Sequence, residues 1–271
     1  MPKFSTTMLV GLWLAVGTRH LAPQEAKDRI RWPEGKRVAV SFSFDDARAS
    51  QIDTGLALFD KHGVKVTFYV SPRNLEKRLD GWKRAAAGGH EIGNHTISHP
   101  CTVNYAFSSK NALEDYTLRK MEAELDGANA EIQRLLGVKA VTFAYPCGQK
   151  FVGRGENTAS YVPLVAARFL TGRGYRDEGA NDPAACDLAQ VLGMESDALS
   201  FEQMRSLADA AAAQNGWLVF AGHEIGEPGR QTTQAADLDR FLRYARDPAS
   251  GIWVDTVAAV AKHIRAQRNA K

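Results

Sequence analysis

The sequence predicts an α/β fold in which parallel strands, with helices on the outside, close or nearly close into a barrel. Short apolar, β-prone runs alternate with longer amphipathic runs from residue 38 to residue 264, and this alternation is typical of βα units and hence of a parallel sheet. Polar residues directly follow four of the apolar runs. Reactive groups of parallel barrels lie at these carboxyl ends of the strands, so the pattern also predicts where a site would lie.

The first half of the chain contains four predicted strands and three predicted helices. Gly63 and Gly137 directly follow two of the helices, as glycine does where a helix ends in the left-handed conformation. Apolar, β-prone runs predict strands at residues 38–44, 64–70, 91–93 and 140–144. Apolar periodicity predicts helices at residues 52–62, 75–87 and 111–136.

The second half is predicted to continue the alternation. Ser200 and Gln203 form a capping-box pattern that opens a helix ending at Gln214. Strands are predicted at residues 217–221 and 252–254. A closing amphipathic helix follows directly, and we expect the preceding aspartate, Asp255, to cap it.

The composition is that of an ordinary globular chain. Hydrophobic residues make up 44% and charged residues 24% of the 271 positions, which excludes a disordered chain, a collagen-like repeat and a multi-span membrane protein. The 34 basic and 31 acidic residues give a net charge of +3 and are scattered, so no nucleic-acid partner is indicated. A chain this long folds without structural metals or disulfides, and a metal site would therefore need a functional explanation.

The first 22 residues resemble a short secretory signal peptide. Lys3 precedes an apolar run from Met8 to Val16, followed by a small-x-small pattern. The run falls short of the roughly 20 apolar residues that span a membrane. We therefore expect a secreted or periplasmic protein without a transmembrane span; if the segment instead forms a helix packed on the domain, the protein is cytoplasmic. Residues 30–268 contain no repeat or long linker and are expected to form a single domain.

Two aspartates and two histidines follow the first and third predicted strands. Asp45 and Asp46 would repel each other if buried together, and a divalent cation removes this cost for one of them. Adjacent residues point in different directions, so the other carboxylate would face substrate. His95 and His99 are spaced so that both rings can face one point, and two histidines with one carboxylate leave open positions on a metal. An exposed turn and two surface histidines are the alternative.

His223 follows the strand predicted at residues 217–221. A histidine there can act as a general acid because its pKa lies near neutrality; a histidine hydrogen-bonded within a loop is the alternative. The remaining histidines are predicted to be structural or on the surface, namely His20, His62, His90 and His263.

Four segments together resemble the polysaccharide deacetylase family, carbohydrate esterase family 4 with its NodB-homology domain. Ser43–Asp46 (SFDD) is similar to the first motif of the family, and Gly89–Pro100 (GHEIGNHTISHP) to the second. Phe143–Gly148 (FAYPCG) resembles the third motif, and Ala221–His223 (AGH) the fifth. The resemblance spans about residues 37–265 and implies the distorted (β/α) barrel of the NodB-homology type, with parallel strands and outer helices.

The resemblance implies a metal-dependent hydrolase that removes N- or O-linked acetyl groups from a carbohydrate, with an acetylated glycan as substrate. Asp45 would be the general base for the attacking water, and His223 the acid that protonates the leaving amine or alcohol. The cofactor would be one divalent metal ion, usually zinc, with cobalt, nickel or manganese as alternatives. The metal ligands carried over from the motifs are Asp46, His95 and His99.

The third motif would supply the oxyanion and substrate-binding groups. By resemblance, the backbone N–H of Cys147 stabilises the developing oxyanion, and Tyr145 and Pro146 contribute to substrate binding. Cys147 replaces the usual aromatic residue, which keeps the backbone donor and removes a wall of the groove. Ala221 stands where a leucine commonly lines the acetate pocket, so a roomier pocket is expected.

Ala144 is a departure from the family pattern. The family often has an arginine at this position that pairs with the catalytic aspartate. Another arginine would then have to orient Asp45, and Arg173 and Arg176 are the candidates. The fourth motif, which usually brings a tryptophan and an aspartate, is expected within residues 173–190.

Several alternatives stay open at this point. A relative of the same fold could hydrolyse a small amide without metal, although such relatives usually lack part of the Asp-His-His set. A non-catalytic polysaccharide-binding module would not need Asp45 and His223. Cys147 is either a thiol nucleophile, a bridged partner of Cys101, or neither. Three loop aromatics either stack on sugar rings or pack locally, namely Tyr105, Phe107 and Phe151. The polymer and the oligomeric state are not predicted.

Overall fold

The computed structural model describes residues 29–270, so the predicted signal peptide at residues 1–22 lies outside the described residues. The helices are α1 (Leu56–His62), α2 (Leu79–Ala87), α3 (Leu118–Leu136), α4 (Val162–Arg168), α5 (Phe201–Ala213), α6 (Ala235–Arg246) and α7 (Val257–Asn269). The strands are β1 (Val38–Asp45), β2 (Thr67–Val70), β3 (Glu91–Asn94), β4 (Thr142–Ala144), β5 (Phe151–Val152), β6 (Ala159–Ser160), β7 (Thr171–Arg173), β8 (Met194–Glu195), β9 (Trp217–Gly222), β10 (Glu224–Gly226), β11 (Thr232–Gln234) and β12 (Ile252–Val254).

Eight of the strands form one parallel sheet that curls into a half-barrel, which confirms the predicted fold class. Its order is β7-β4-β3-β2-β1-β9-β8, and β12 pairs with the first residues of β1. The last residues of β1, 43–45, pair with β2 on that same side, and residues 39–44 of β1 pair with β9 on the other side. Because the strands are parallel, the carboxyl ends of β1, β3, β4 and β9 meet at one edge of the half-barrel.

The two faces of the sheet bury different kinds of side chain. Phe42 of β1 points to the helical layer, where its ring lies 5.1 Å from that of Phe220 and 5.4 Å from that of Phe241 in α6. Burying a phenylalanine contributes roughly 1.5–3 kcal/mol to folding. Ser43 and Asp45 alternate with Phe42 and therefore face the concave side, almost fully buried. The concave face thus carries polar groups while the helical face supplies the apolar core.

The predicted elements are confirmed apart from their boundaries, and eight elements of the structure were not predicted. The capping box at Ser200 and Gln203 is present, and Gly63 and Gly137 end α1 and α3 in the left-handed conformation. The predicted start of the long helix at residue 111 was wrong. The helix begins at Leu118, because the side chain of Thr117 caps it by accepting from the Lys120 N–H.

The closing helix also has a different cap from the one predicted. Thr256, not Asp255, precedes α7 and accepts from the N–H of Ala259 at 3.2 Å. The elements that the sequence did not predict are α4, α6, β5, β6, β7, β8, β10 and β11. No helix within residues 29–270 is long and apolar enough to cross a membrane.

Candidate active site

The carboxyl ends of β1, β3, β4 and β9 surround a cleft of about 1000 Å³. His95, of which 1% is exposed, lies beneath the floor of this cleft, its Nε2 3.6 Å from Oδ1 of Asp46. The structure therefore brings together the polar residues that the sequence places after these strands. Those that line the cleft are Asp45, Asp46, His99, Cys147 and His223.

Asp45, the last residue of β1, is buried and pairs with Arg173, the last residue of β7. Oδ1 of Asp45 accepts from Nη2 of Arg173, while Nη1 donates to the carbonyl of Gly174 at 2.7 Å. Burial alone would raise the pKa of Asp45, but the charges of Arg173, His95 and His223 hold this pKa below 3.8. Asp45 is therefore an anion at neutral pH.

Arg173 lies in β7, the strand next to β4. In β4, Ala144 occupies the position at which the family often has an arginine. Ala144 and Arg173 are register partners between β4 and β7. Arg173 therefore lies beside the position of the family's arginine and pairs with Asp45 in its place. The guanidinium of Arg173 also lies 5.0 Å from the ring centroid of Tyr69, within the range of a cation–π contact. The other candidate, Arg176, pairs instead with Glu195 at 2.9 Å.

Asp46, His95 and His99 converge on one point, with their candidate ligand atoms all within 4.8 Å of one another. Nε2 of His99 lies 3.4 Å from Oδ1 of Asp46. His95 Nδ1 lies 2.8 Å from the carbonyl of Ala144; a carbonyl only accepts, so Nδ1 carries the proton and the lone pair of Nε2 faces the cluster. Oδ2 of Asp46 accepts from Arg48 at 2.9 Å, which leaves Oδ1 as the oxygen that faces the histidines.

The charge state of this cluster follows from burial and proximity. Burial would raise the pKa of Asp46, but His95 and His99 lower it to about 2. Burial lowers the pKa of His95 to about 4 and outweighs the attraction of the two aspartates. One carboxylate and neutral imidazole groups are the protonation states that ligate divalent cations.

Six residues that line the cleft adopt left-handed backbone conformations, and three of these six are predicted site residues. The φ angles are 73° at Asp46, 51° at His99 and 54° at Cys147. Each such conformation in a non-glycine residue costs on the order of 1–3 kcal/mol, and such residues cluster at active sites and ligand clamps. The surrounding hydrogen bonds hold two of these loops, since Asn74 donates to the Asp46 carbonyl and Thr96 Oγ1 accepts from the His99 N–H.

His223 lies across the cleft and is held by Asp197. Nδ1 of His223 lies 2.7 Å from Oδ2 of Asp197, and the backbone N–H of His223 donates to Oδ1. A carboxylate only accepts, so Nδ1 carries the proton and Nε2 is the nitrogen left for substrate. Burial would lower the pKa of His223, but Asp197 and the nearby Asp45 raise it above 6.5. The ring of Tyr175 packs edge-on at 5.4 Å.

The sequence reading missed Asp197, which lies seven positions beyond the segment where the fourth motif was expected. It directly follows β8, a strand of two residues, so it occupies a strand end like the other polar groups of the site. A strand of two residues shows no hydrophobic alternation in the sequence. A systematic search for aspartates between the segments of the third and fifth motifs would have found Asp197.

Cys101 and Cys147 form a disulfide, which resolves the alternatives left open for these residues. Cys147 is therefore not a free thiol nucleophile; Cys186 is the free cysteine of the described range. The bridge joins the loop of His99 to the loop of the third motif. Among the described residues, the N–H of Cys147 has no hydrogen-bond acceptor, and the residue lines the cleft.

Tyr145 and Pro146 lie behind Cys147 rather than in the cleft. Tyr145 is fully buried, its hydroxyl donates to the carbonyl of Ala189 at 2.8 Å, and its ring packs on Phe143. Neither Tyr145 nor Pro146 lines the cleft. Their predicted contribution to substrate binding is therefore corrected to a supporting one, because the turn that presents Cys147 directs both side chains into the core.

The predicted structural histidines lie away from the cleft. Nε2 of His62 pairs with Asp239 at 2.8 Å, and the ring of His90 packs between aromatic residues of the core. His263 stacks on Trp32 near the end of the chain. His20 lies outside the described residues.

Comparison with known proteins finds a family match over part of the chain. A family model described as "Polysaccharide deacetylase" matches residues 33–160, which carry the first three motif segments. Residues 33–160, a little under half of the chain, are thus similar to polysaccharide deacetylases. This range contains five of the polar residues discussed above, namely Asp45, Asp46, His95, His99 and Cys147.

The curated relatives are longer proteins, and this chain matches a part of each. A gellan lyase from a Bacillus species is 27% identical over 251 residues, covering 86% of this chain and 10% of that protein. A peptidoglycan-N-acetylglucosamine deacetylase from Bacillus cereus is 40% identical over 67 residues, covering 24% of each chain. The chain thus spans about a tenth and about a quarter of these two proteins.

A carbohydrate-active enzyme of known structure, an acetyl xylan esterase, has the same fold. The family 4 acetyl xylan esterase from Clostridium thermocellum, solved in complex with a cobalt ion, superposes with a TM-score of 0.56. The superposition covers 83% of this chain and 90% of that one at 17% identity. At this identity the likeness establishes the fold.

Proposed function

We propose that residues 30–268 form one catalytic domain that hydrolyses acetyl groups, N- or O-linked, on a glycan with the aid of a divalent metal. The single observation that carries the proposal is the convergence of two histidines and one carboxylate, with a buried anionic Asp45 beside them and an Asp197-bound histidine, His223, across the same cleft. A structural metal site would not require the last two groups.

The three converging residues fit a divalent cation. One carboxylate oxygen and two imidazole nitrogens suit zinc, cobalt, nickel or manganese and leave positions open for water and substrate. The bond from His95 Nδ1 to the Ala144 carbonyl is the kind of outer hydrogen bond that orients a ligating histidine. When bound, such a cation polarises the acyl oxygen and favours ionisation of water at neutral pH.

The side chains around this point supply the proton transfers and a hydrogen-bond donor. Asp45, kept ionised by Arg173, accepts a proton from the attacking water. The backbone N–H of Cys147 donates to the acyl oxygen as negative charge develops there. His223, whose Nδ1–H is held by Asp197, transfers its Nε2 proton to the departing amine or alcohol.

A glycan is the proposed substrate because the names of the relatives describe enzymes of peptidoglycan and xylan. The retention of Asp45 and His223, each with a buried charged partner, favours an enzyme over a binding module. The complete Asp-His-His set argues against a metal-free amide hydrolase.

We also propose that the protein works in a secreted or periplasmic compartment. The disulfide between Cys101 and Cys147 supports this, since disulfides persist mainly in oxidising compartments. The predicted signal peptide points the same way from the sequence.

The test is acetate release from a panel of chitin oligomers, peptidoglycan, acetylated xylan, an acetylated exopolysaccharide and a chromogenic aryl acetate. We expect release from at least one glycan with added zinc or cobalt, and a loss of at least a hundredfold in kcat for Asp45→Asn. His263→Gln, remote from the cleft, serves as the matched control. Full activity of Asp45→Asn at saturating metal would contradict the assignment of the base, and absence of release from every substrate would contradict the function.

A further inference from the structure

We propose that Tyr105 and Phe107, together called the aromatic platform, bind the sugar next to the one that is deacetylated. The substrate would then be an extended glycan chain rather than a single acetylated sugar. This inference rests on the proposed function, because the platform is argued as an additional part of the same cleft.

The aromatic platform is unusual in its exposure. Phe107 is 70% and Tyr105 43% exposed, whereas nearly all large apolar side chains of the described range are buried. Within residues 29–270 only five large hydrophobic side chains are exposed. Three of them lie in the loop that follows His99, namely Val103, Tyr105 and Phe107. Exposed apolar side chains that lie together, unlike ones that are scattered singly, are a feature of interaction sites.

The two rings present parallel faces. Their centroids are 5.4 Å apart and their planes differ by 6°. Each ring has a negatively polarised face, which favours contact with the polarised C–H groups on the apolar face of a pyranose. The parallel arrangement suits a flat sugar ring better than a bulky, branched apolar side chain.

The platform lies beside the reaction site and in the same cleft. The centroid of the Phe107 ring is 6.4 Å from that of the candidate metal ligand His99. Tyr105 and Phe107 line the cleft together with Asp45, Asp46 and His223. A sugar on the platform would therefore neighbour a sugar whose acetyl group is at the reaction site.

Several bonds hold the platform loop in place. The disulfide ties its start at Cys101 to Cys147, and Ser108 accepts from the Cys101 N–H at 2.9 Å. Glu114 accepts from the N–H of Val103 at 2.9 Å. A surface held in its binding conformation loses little conformational entropy when it binds, which favours affinity.

A second cavity of about 380 Å³ borders the platform loop, since Thr102 of this loop lines it. It is lined by Gln149, Lys150 and Phe151, and the ring of Phe151 is 57% exposed. Gln149 accepts from the N–H of Thr102 at 2.8 Å and so connects this cavity to the platform loop. A longer glycan would find further contacts here, whereas the opposite wall carries charged residues such as Arg176, Glu195 and Arg230.

The test compares glycans of increasing length in wild type, Phe107→Ala and Phe107→Tyr. With acetylated chito- and xylo-oligosaccharides of one to six sugars, we expect kcat/KM of the wild type to rise with length. Phe107→Ala should lower kcat/KM at least tenfold on the longer oligomers, mainly through KM, and leave aryl acetate hydrolysis unchanged. Phe107→Tyr should retain the length dependence. Leu118→Ala, an exposed apolar residue outside the cleft, is the matched control.

An equal loss on aryl acetate and on oligomers would overturn the proposal, because Phe107 would then act by supporting His99. A wild type without length dependence would overturn it as well. Calorimetric titration with the same oligosaccharides tests sugar binding by the platform separately from the proposed deacetylase activity. If no substrate releases acetate, binding that is lost in Phe107→Ala still supports the platform, and binding that is absent or insensitive to Phe107 contradicts it.

Discussion

Arg173 and Asp45 form a fully buried ion pair although 128 positions separate them in the chain. The pair links the two strands β1 and β7, which are not neighbours in the sheet. An isolated buried carboxylate would be protonated or would destabilise the fold, so this arginine decides whether Asp45 can act as a base.

Arg173→Met should therefore reduce both stability and activity. Removal of one partner of a buried pair costs about 3–5 kcal/mol of the free energy of unfolding, which urea denaturation measures. In the native protein the lowered pKa of Asp45 contributes stability at neutral pH that is lost as the pH falls below 3.8 through the folded-state pKa. In the variant, burial raises this pKa, so the acid limb of kcat/KM should move to higher pH. Arg134→Gln removes an exposed pair with Glu131 and is the control, expected to leave stability nearly unchanged because solvent screens such a pair.

Asp197→Asn should shift the alkaline limb of the pH profile. Asp197 raises the pKa of His223, and activity that needs the protonated imidazole falls as the pH rises through that pKa. Without the negative charge of Asp197 the pKa of His223 should fall, so the alkaline limb should move to lower pH. NMR titration of the His223 ring measures the pKa directly. An unchanged limb would remove His223 from the role of acid.

Asp46→Ala should reduce the metal content of the purified protein. Wild type is expected to contain about one divalent metal per chain by elemental analysis after dialysis, and the variant much less than one, because a single oxygen completes the ligand set. Acetate release should fall with the metal. Asp45→Asn is the informative comparison, since it should keep the metal and lose turnover. Unchanged metal content in Asp46→Ala would show that the cluster is not the metal site.

The disulfide should affect both stability and catalysis. In the chain-entropy model a bridge closing a loop of 46 positions contributes about 4 kcal/mol, so the Cys101→Ser, Cys147→Ser double variant should lose about 2–4 kcal/mol. Its kcat should also fall, because the bridge joins the loops of His99 and Cys147. Cys186→Ser is the control and should be close to wild type.

Alkylation tests the bridge itself. Unfolded but unreduced protein should expose one alkylatable thiol, that of Cys186, and reduced protein three. Three thiols without reductant would contradict the bridge.

The loop residues of the site divide into those that local sequence could predict and those that it could not. Asp45, Asp46, His95 and His99 follow strands whose apolar, β-prone runs are readable along the chain, and parallel strands bring such ends together whatever their order. The signals are local, and so are the capping box at Ser200 and the glycines that end two helices.

The remaining predictions depended on strand order and register. Arg173 and Arg176 were equal candidates from the sequence, and the register of Ala144 with Arg173 decides between them. The bonds from Tyr145 into the core, and the cap by Thr256 in place of Asp255, likewise depend on which groups the folded chain brings within hydrogen-bond distance.

The sequence by itself determined the alternation of strands and helices, the resemblance to a known family, and the polar groups that follow β1, β3 and β9, because each depends on a short stretch of chain. Only the tertiary structure decided the partners of those groups. Arg173 with Asp45, Asp197 with His223 and Cys101 with Cys147 meet across separations that no local pattern encodes. Their pairing follows from the order in which the sheet packs its strands, and that order is the result of burying the whole apolar face at once.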